Sequence, residues 1–191
     1  MYRADAFRYI VLNELGGLYL DLDVECWRAS DPFLQGSQFV AQGHGTLEPL
    51  ANGMIGSIPK HPIWGRVLEK LVTNAQLPST FMEGDARRVL HVTGPRLFSA
   101  AVMEMLGIVD QPPLMGRHTN HPELGVVTVW PLSTWLIPCQ LFNNSCFEGV
   151  AAARGEGRQA LGELAGHHRY SRTWDSLRPQ LLKVTAHWED M

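Results

Sequence analysis

The stretch ADAFRYIVLNELGGLYLDLDVE, residues 4–25, decides the fold of this chain. Its first half has helical spacing, with apolar residues on one face at Phe7, Ile10, Val11 and Leu15. Another face of the same helix holds Asp5, Arg8 and Leu12. Gly16 and Gly17 then end the helix, because glycine is favoured just past a helix C-terminus.

From Leu18 to Glu25 the pattern changes to a period of two, which predicts a β-strand. One face of this strand is apolar and comprises Leu18, Leu20, Leu22 and Val24. The opposite face is mostly acidic and comprises Tyr19, Asp21, Asp23 and Glu25. The sequence therefore predicts an amphipathic helix, a glycine turn and a strand in immediate succession.

The acidic pattern D-x-D is the strongest chemical signal. In one strand, Asp21 and Asp23 would have Cα atoms roughly 6.6 Å apart on the same face. Two carboxylates this close repel each other unless a cation lies nearby. Mg²⁺ and Mn²⁺ bind to one or two carboxylates together with substrate phosphates, so the pattern indicates a site for a metal and a diphosphate. The alternative is a solvated strand face with scattered acids.

The rest of the chain predicts an α/β domain, because helical and strand patterns alternate without an internal repeat. Helices are predicted over 63–77, 95–106 and 151–164, and a strand over 125–130. Residues 30–52 are expected to form loops and short strands, and residues 131–144 a loop.

Composition excludes several classes of protein. Lys and Arg number 16 and Asp and Glu 19, a formal net charge of −3, which gives no basic field for nucleic acid or polybasic membrane stripe. No apolar run approaches the about 18 residues of a transmembrane helix. None of the cysteines forms a C-x-x-C pair, which argues against a structural zinc site.

Two further patterns are expected to carry no chemistry. Residues 155–160 fit G-x-G-x-x-A, but no predicted strand precedes them, so a dinucleotide site is not indicated. His118 and His121 have a spacing that metal ligands use, but they fall in a segment rich in Pro and Gly that is predicted to be a loop.

The order D-x-x-R-x-x-x-L and G-G-x-Y-x-D-x-D, filled here from Asp5 to Asp23, resembles the glycosyltransferase sugar-binding region that contains a DXD motif. Glycosyltransferase family 32 shares this region and includes initiating α-1,6-mannosyltransferases and inositol-phosphorylceramide mannosyltransferases. Later segments resemble the same family, namely Asn52 with the P-x-H-P of 59–62, the T-G-P of 93–95, and the H-H and T-W pairs of 167–174.

The resemblance implies a GT-A-like, Rossmann-type nucleotide-diphospho-sugar transferase fold. Residues 1–191 would form one catalytic domain, the C-terminal two-thirds of a GT-A domain that is N-terminally truncated and lacks its first strands. With a missing N-terminal anchor, a eukaryotic chain would belong to the Golgi lumen or membrane. A bacterial chain would be cytoplasmic.

The resemblance also implies roles for individual residues. Asp21 and Asp23 would be the catalytic acids that hold Mn²⁺ or Mg²⁺ against the diphosphate, with Asp23 as the direct ligand and Asp21 reaching the ribose or the metal through water. His167 or His168 would supply a further metal contact, or would be a loop histidine without a role. Trp174 would close over the diphosphate, or would pack in the core.

The donor sugar would be bound by Asp5 and Arg8, for which a surface i, i+3 ion pair is the alternative. Tyr19 shares the acidic strand face and would contact the donor or pack beside Asp21. Asn52 is expected in the wall of the donor pocket. Thr93 and Gly94 are weaker candidates for pocket-wall and turn positions.

These expectations describe a metal-dependent retaining glycosyltransferase. It would transfer a hexose, with mannose preferred, from GDP-mannose or a UDP-hexose to a glycan or glycolipid acceptor. Because the sequence shows no evident carboxylate pair for double displacement, front-face attack is expected. A catalytically inactive sugar- or metal-binding remnant is the main alternative. A calcium module that uses Asp21, Asp23 and Glu25 is a third reading, opposed by the preference of Ca²⁺ for loops.

Overall fold

The computed structural model describes thirteen secondary-structure elements of this chain. The described residues are 2–22, 24–26, 29–43, 49–78, 80–81, 87–108, 116–130, 136–138 and 166–168. The helices are α1 (Tyr2–Leu15), α2 (Asp31–Leu34), α3 (Pro62–Ala75), α4 (Arg87–Val92) and α5 (Pro95–Met105). The strands are β1 (Gly17–Leu20), β2 (Val24–Cys26), β3 (Phe39–Gly43), β4 (Leu50–Ser57), β5 (Gly116–His121), β6 (Gly125–Trp130), β7 (Leu136–Pro138) and β8 (Gly166–His168).

The main sheet has five strands in the order β1-β4-β3-β6-β5. Strands β3 and β6 are parallel, whereas the other neighbouring pairs are antiparallel. A second sheet has the order β2-β8-β7. Helices and a mixed sheet in one chain confirm the predicted α/β class.

Both faces of the main sheet are packed. Alternate residues of β3 point to opposite sides, so Phe39 and Ala41 join the core under α1, α3 and α5, whereas Val40 packs with Phe33 of α2. The larger core contains an aromatic cluster in which the ring centroids of Phe39 and Trp64 are 5.5 Å apart. Each fully buried aromatic side chain stabilises the fold by about 1.5–3 kcal/mol.

Helix α1 buries a different face from the one that its apolar stripe would suggest. Phe7 and Leu15 are 64% and 74% exposed, whereas Arg8 is 7% exposed and Tyr9 is fully buried. Burying charged side chains requires that they be paired. The inward position of Arg8 therefore depends on carboxylates, one on α1 itself and one that reaches it from after β1.

The glycine turn after α1 forms as predicted. Gly16 and Gly17 have φ angles of 64° and 93°, in the left-handed region that glycine adopts at low cost. A Cβ on Gly16 would also lie 2.6 Å from the backbone nitrogen of Pro59. Both the backbone conformation and the packing therefore require glycine at position 16.

The predicted strand over residues 18–25 is interrupted. Strand β1 ends at Leu20, and the backbone N–H of Val24 donates to the carbonyl of Asp21 at 3.0 Å, which bends the chain. Strand β2 then pairs in the second sheet. The prediction that Asp21 and its acidic neighbours share one continuous strand face is therefore wrong.

Three other predicted elements are confirmed. Helices α3 and α5 begin at Pro62 and Pro95, where proline lacks only an N–H that a first turn leaves unbonded anyway. Strand β6 has the predicted bounds. The longest described helices have 14 residues, and in the described part of the chain none has the length and apolar character that a membrane crossing needs.

The segment around His118 and His121 is a strand, β5, so the prediction of a loop is wrong. The Nδ1 atom of His121 accepts the backbone N–H groups of Glu123 and Leu124 at 3.3 and 3.2 Å, which stabilises the turn into β6. The short helix α2 was not predicted within 30–52, and β7 lies inside the predicted loop over 131–144. The predicted helix over 151–164 and the G-x-G-x-x-A segment lie outside the described residues.

Candidate sugar-binding site

Arg8 is the centre of a buried polar cluster at the end of β1. Its Nη1 donates to Oδ1 of Asp21 and to the backbone carbonyl of Asn52, both at 2.7 Å. Its Nη2 lies 3.1 Å from Oδ1 of Asp5. The side chains of Asp5 and Arg8 are only 7% and 8% exposed, so their pairing is not the surface ion pair weighed as the alternative.

Asp5 accepts hydrogen bonds from donors on three segments of the chain. Besides Arg8, Nδ2 of Asn52 donates to Oδ1 at 3.1 Å, and Oγ1 of Thr93 donates to Oδ2 at 2.9 Å. Burial raises the pKa of Asp5 above its ordinary value, and Arg8, Thr93 and Asn52 oppose that shift. Because all three neighbours offer hydrogens, the arrangement is complementary to the ionised carboxylate.

The guanidinium of Arg8 is held as a cation on several sides. Burial lowers the pKa of Arg8, but the two carboxylates of Asp21 and Asp5 outweigh that effect and raise it. Its Cζ atom also lies 4.6 Å from the ring centroid of Tyr19. A cation over an aromatic face gains about 0.5–2 kcal/mol, depending on its exposure to solvent.

Tyr19 and Gly53 fix the position of Asp21. The Tyr19 hydroxyl donates to Oδ1 of Asp21 at 2.9 Å, and burial is the main effect that raises the pKa of Tyr19 to about 12. Gly53 stands opposite Asp21 on β4, and its carbonyl accepts the Asp21 N–H at 2.8 Å. A Cβ on Gly53 would lie 2.6 Å from Oδ2 of Asp21, so the absence of a side chain there leaves room for the carboxylate.

Tyr9 completes the cluster from the core side. Its hydroxyl donates to the carbonyl of Thr93 at 2.9 Å and accepts Nδ2 of Asn52 at 2.9 Å. Its ring is stacked on Phe98, with centroids 5.8 Å apart. Burial raises the pKa of Tyr9, which keeps the hydroxyl protonated.

The structure therefore brings together five of the predicted donor-site and DXD residues, namely Asp5, Arg8, Tyr19, Asp21 and Asn52. Thr93 joins them as a direct hydrogen-bond donor. Two members were not predicted, Tyr9 and Gly53. Tyr9 directly follows Arg8, at a helical position that faces the core. This position next to Arg8 was the feature of the sequence that could have identified Tyr9 as a member of the cluster. Nothing in the sequence pairs Gly53 with Asp21, because their contact depends on the register of β1 and β4.

Four predicted residues of the metal and donor sites lie outside the described side chains. Asp23 and Trp174 lie outside the described residues, and His167 and His168 are described only through the backbone of β8. That backbone pairs with β2, His168 opposite Val24 and His167 opposite Glu25. The late His-His segment is thus adjacent to the residues that follow the D-x-D motif.

Within the described ranges, no group of three or more His, Cys, Asp or Glu side chains is close enough to hold a metal ion. Asp21 uses Oδ1 for Arg8 and Tyr19. Its side chain is 28% exposed. Asp5, Arg8 and Asp21 carry two negative charges and one positive charge, so the cluster has a formal charge of −1.

The chain is similar in sequence to several known proteins. Residues 1–40 match the family described as the glycosyltransferase sugar-binding region containing a DXD motif. A mannosyl phosphorylinositol ceramide synthase of Saccharomyces cerevisiae is 41% identical over 69 residues, which are 36% of this chain and 18% of that protein. An uncharacterized glycosyltransferase of Acanthamoeba polyphaga mimivirus is 28% identical over 144 residues, 74% of this chain and 49% of that protein.

Among solved structures, the PaToxG glycosyltransferase is similar with a TM-score of 0.43 and 22% identity, covering 56% of this chain and 35% of that one. The matched regions span 18% and 49% of the length of the two relatives above. The predicted family is confirmed by the match over residues 1–40, which contain Asp5, Arg8, Tyr19 and both acids of the D-x-D motif. Residues 1–40 of the chain thus match the sugar-binding region, containing a DXD motif, that is found in glycosyltransferases.

Proposed function

We propose that this chain acts as a metal-dependent retaining glycosyltransferase. It transfers a hexose, with mannose as the first choice, from a nucleotide-diphosphate sugar to a glycan or glycolipid acceptor. The buried ion-pair chain Asp5–Arg8–Asp21 at the end of β1 is the observation that carries the proposal. The preference for mannose and a glycolipid is supported by relatives that are named as mannosyl phosphorylinositol ceramide synthases.

The cluster keeps hydrogen-bonding capacity for a sugar. A carboxylate has about four acceptor positions, and Asp5 uses three of them on Arg8, Asn52 and Thr93. Among the described contacts, Nη2 of Arg8 has one hydrogen beyond that given to Asp5. A hexose hydroxyl both donates and accepts, so one hydroxyl can satisfy both groups at once.

The residues also fit a divalent cation. Mg²⁺ and Mn²⁺ are often held by one or two carboxylates plus substrate phosphates, so Asp21 and Asp23 suffice with a bound diphosphate. The formal charge of −1 on the described cluster attracts a cation, and Asp23 adds to it. When bound, the cation neutralises the charge that develops on the leaving diphosphate. His167 or His168 would add a ligand from β8.

We also infer that the configuration at the anomeric carbon is retained, and the hydrogen bonds of the two described carboxylates argue against a double displacement. Asp5 accepts from three donors and Asp21 is bonded to Arg8 and Tyr19, so neither is free to act as a nucleophile. We therefore infer front-face attack. The bond from the anomeric carbon to the phosphate oxygen breaks, the acceptor oxygen bonds to that carbon, and the acceptor proton passes to the leaving phosphate oxygen. NMR of the product tests this step, and an inverted anomeric configuration would overturn it.

Isothermal titration of the full chain tests the function, with GDP-mannose and UDP-glucose each titrated in the presence and absence of Mn²⁺. We expect Mn²⁺-dependent binding of one donor, with loss in Asp23→Asn. Arg8→Lys should also lose the donor, because an ammonium group lacks the fork that joins two carboxylates and a carbonyl. Arg66→Lys is the matched control, since Arg66 pairs with Glu69 and Glu104 on α3 and α5.

The other readings give different results in the same titration. Binding of Ca²⁺ without any response to a nucleotide sugar would support the calcium module. Silence toward both metals and both donors would support an inactive remnant. Either result contradicts the proposed function.

A further inference from the structure

The polar cluster contains a closed ring of hydrogen bonds around its buried side. From Oδ1 of Asp5 the ring runs to Nδ2 of Asn52, to the hydroxyl of Tyr9 and to the carbonyl of Thr93. It returns from Oγ1 of the same Thr93 to Oδ2 of Asp5. Helix α1, strand β4 and the turn before α5 each contribute to it.

The direction of every bond in this ring is fixed. The Thr93 carbonyl can only accept, so the single hydroxyl hydrogen of Tyr9 must point to it. The Tyr9 oxygen is left to accept, and the group facing it on Asn52 must be the NH₂. A flipped Asn52 would direct its carbonyl oxygen at the Tyr9 oxygen and at the Asp5 carboxylate. Tyr9 and Asp5 thus together select the one orientation of Asn52 in which Asp5 receives a hydrogen.

We propose that Tyr9 is a positioning residue for donor-sugar recognition, acting through Asn52 and Thr93 to hold the Asp5 carboxylate in its sugar-binding orientation. Tyr9 is fully buried and stacked on Phe98, so it does not touch a ligand itself. This inference rests on the proposed function, in which Asp5 binds the sugar.

Removal of the Tyr9 hydroxyl has a defined consequence. In Tyr9→Phe the aromatic side chain still packs on Phe98. One Asn52 hydrogen and the Thr93 carbonyl, however, lose their hydrogen-bond partner at a buried position. Asn52 is then held only by its bond to Asp5, so the donor that faces the Asp5 carboxylate is less firmly fixed. We expect the affinity for the sugar nucleotide to fall roughly tenfold, the usual scale for one unsatisfied buried group. Affinity for the nucleotide diphosphate alone should not change.

Titration of the full chain with GDP-mannose and with GDP, and likewise with UDP-glucose and UDP, all with Mn²⁺, measures this difference. Ser99→Ala is the matched control. The Ser99 hydroxyl is also buried and bonded to β4, at the backbone N–H of Leu50 at 2.9 Å, but it is not part of the ring. It should lower stability by a similar amount without changing the ratio of the two affinities. Equal losses for sugar nucleotide and nucleotide in Tyr9→Phe, or no loss, would overturn the inference.

A second pair of variants covers the case that Tyr9→Phe does not fold. Thr93→Val removes the hydroxyl that bonds Asp5 and keeps the carbonyl that Tyr9 needs, whereas Thr93→Ser keeps both. We expect the sugar-specific loss in Thr93→Val and its rescue in Thr93→Ser. If Thr93→Ser bound the sugar nucleotide as weakly as Thr93→Val, the hydrogen-bonded ring would not be the cause of the loss.

A spectroscopic measurement separates this inference from the proposed function. The two side-chain amide hydrogens of Asn52, assigned by their absence in Asn52→Ser, should both exchange slowly in the ¹⁵N spectrum of the wild-type chain. In Tyr9→Phe one of them should shift and exchange rapidly. A chain that binds no nucleotide sugar but gives this signature refutes the function and keeps the ring. An unchanged Asn52 signal refutes the positioning role whatever the chain binds.

Discussion

Gly53→Ala should disable the site without unfolding the protein. The Cβ of the new side chain would lie 2.6 Å from Oδ2 and 3.2 Å from Cγ of Asp21, far inside van der Waals contact. Asp21 has to rotate, and it then gives up the 2.7 Å bond from Arg8 and the 2.9 Å bond from Tyr19. A hydrogen bond to a charged group contributes about 1.5–3 kcal/mol, and the partial exposure of Asp21 reduces that figure.

The net change in the free energy of unfolding follows from two opposing effects. The lost bonds destabilise the native state by about 1–2 kcal/mol, and replacing glycine restricts the unfolded chain, which returns about 0.4–1 kcal/mol. Gly65 has no atom within 4 Å of its built Cβ and lies within α3, so Gly65→Ala should stabilise by about 0.5–1 kcal/mol. Urea unfolding should place the two variants about 1.5 kcal/mol apart.

A double-mutant cycle identifies the cause. If the cost of Gly53→Ala comes from the Asp21 carboxylate, it should nearly vanish in an Asp21→Ser background, with a coupling energy of about 1 kcal/mol. Donor binding should be lost in Gly53→Ala and kept in Gly65→Ala. Unaltered stability and donor affinity in Gly53→Ala would refute the reasoning, because the carboxylate would then not occupy the space that glycine leaves.

Three further predictions concern stability and ionisation. Burial raises the pKa of Tyr19 from 10.0 to about 12, so the stabilisation by its protonated hydroxyl is complete below pH 10 and is lost as the pH rises through about 12. The difference in phenolate absorbance between the wild type and Tyr19→Phe, followed against pH, measures this pKa. Burial lowers the pKa of His61 below 6.5, so as the pH falls the unfolded chain takes up a proton before the folded chain does. The contribution of His61 to stability is therefore complete above pH 6.5 and decreases at lower pH. Melting temperatures measured from pH 7.5 to 5 should show this decrease, and His61→Asn should reduce it. Leu12 is 1% exposed, so Leu12→Ala should lower the free energy of unfolding by about 2–5 kcal/mol. Phe7 is exposed, so Phe7→Ala should lower it by at most about 0.5 kcal/mol. Equal losses for the two variants in thermal unfolding would contradict the described orientation of α1.

Local signals in the sequence were sufficient for several elements. Helices α3 and α5 begin at prolines and contain clear apolar stripes, and β6 is a valine-rich run that follows a glycine, so their positions followed from the residues alone. The predicted ends of the two helices, at residues 77 and 106, lie slightly beyond the observed ends at Ala75 and Met105. The glycine turn at Gly16 was equally local. Of the site, the D-x-x-R spacing places Asp5 and Arg8 on one helix face, and their assignment to the donor sugar came from the family resemblance.

Long-range pairing limited the rest. The apolar stripe of α1 suggested the wrong inward face, because Asp5 and Arg8 find partners that are distant in sequence. Asp21 forms an ion pair with Arg8, and Asn52 and Thr93 donate hydrogen bonds to Asp5. The strand predicted over 18–25 failed for a similar reason. Its alternation continues through Asp21, but the chain turns there and β2 joins another sheet. Neither the distant partners of α1 nor the second sheet can be recognised from the residues next to these elements in the sequence.

The ring at Tyr9 also bears on how the protein folds. Its four bonds close over separations of 43, 47, 84 and 88 residues, so none forms until distant parts of the chain have met. Contacts of such high sequence separation are slow to assemble, because the entropy of loop closure opposes them before packing compensates it. Sugar recognition should therefore be among the last properties gained during refolding. The number of sites that bind the nucleotide sugar would then give the fraction of molecules that have reached the native state.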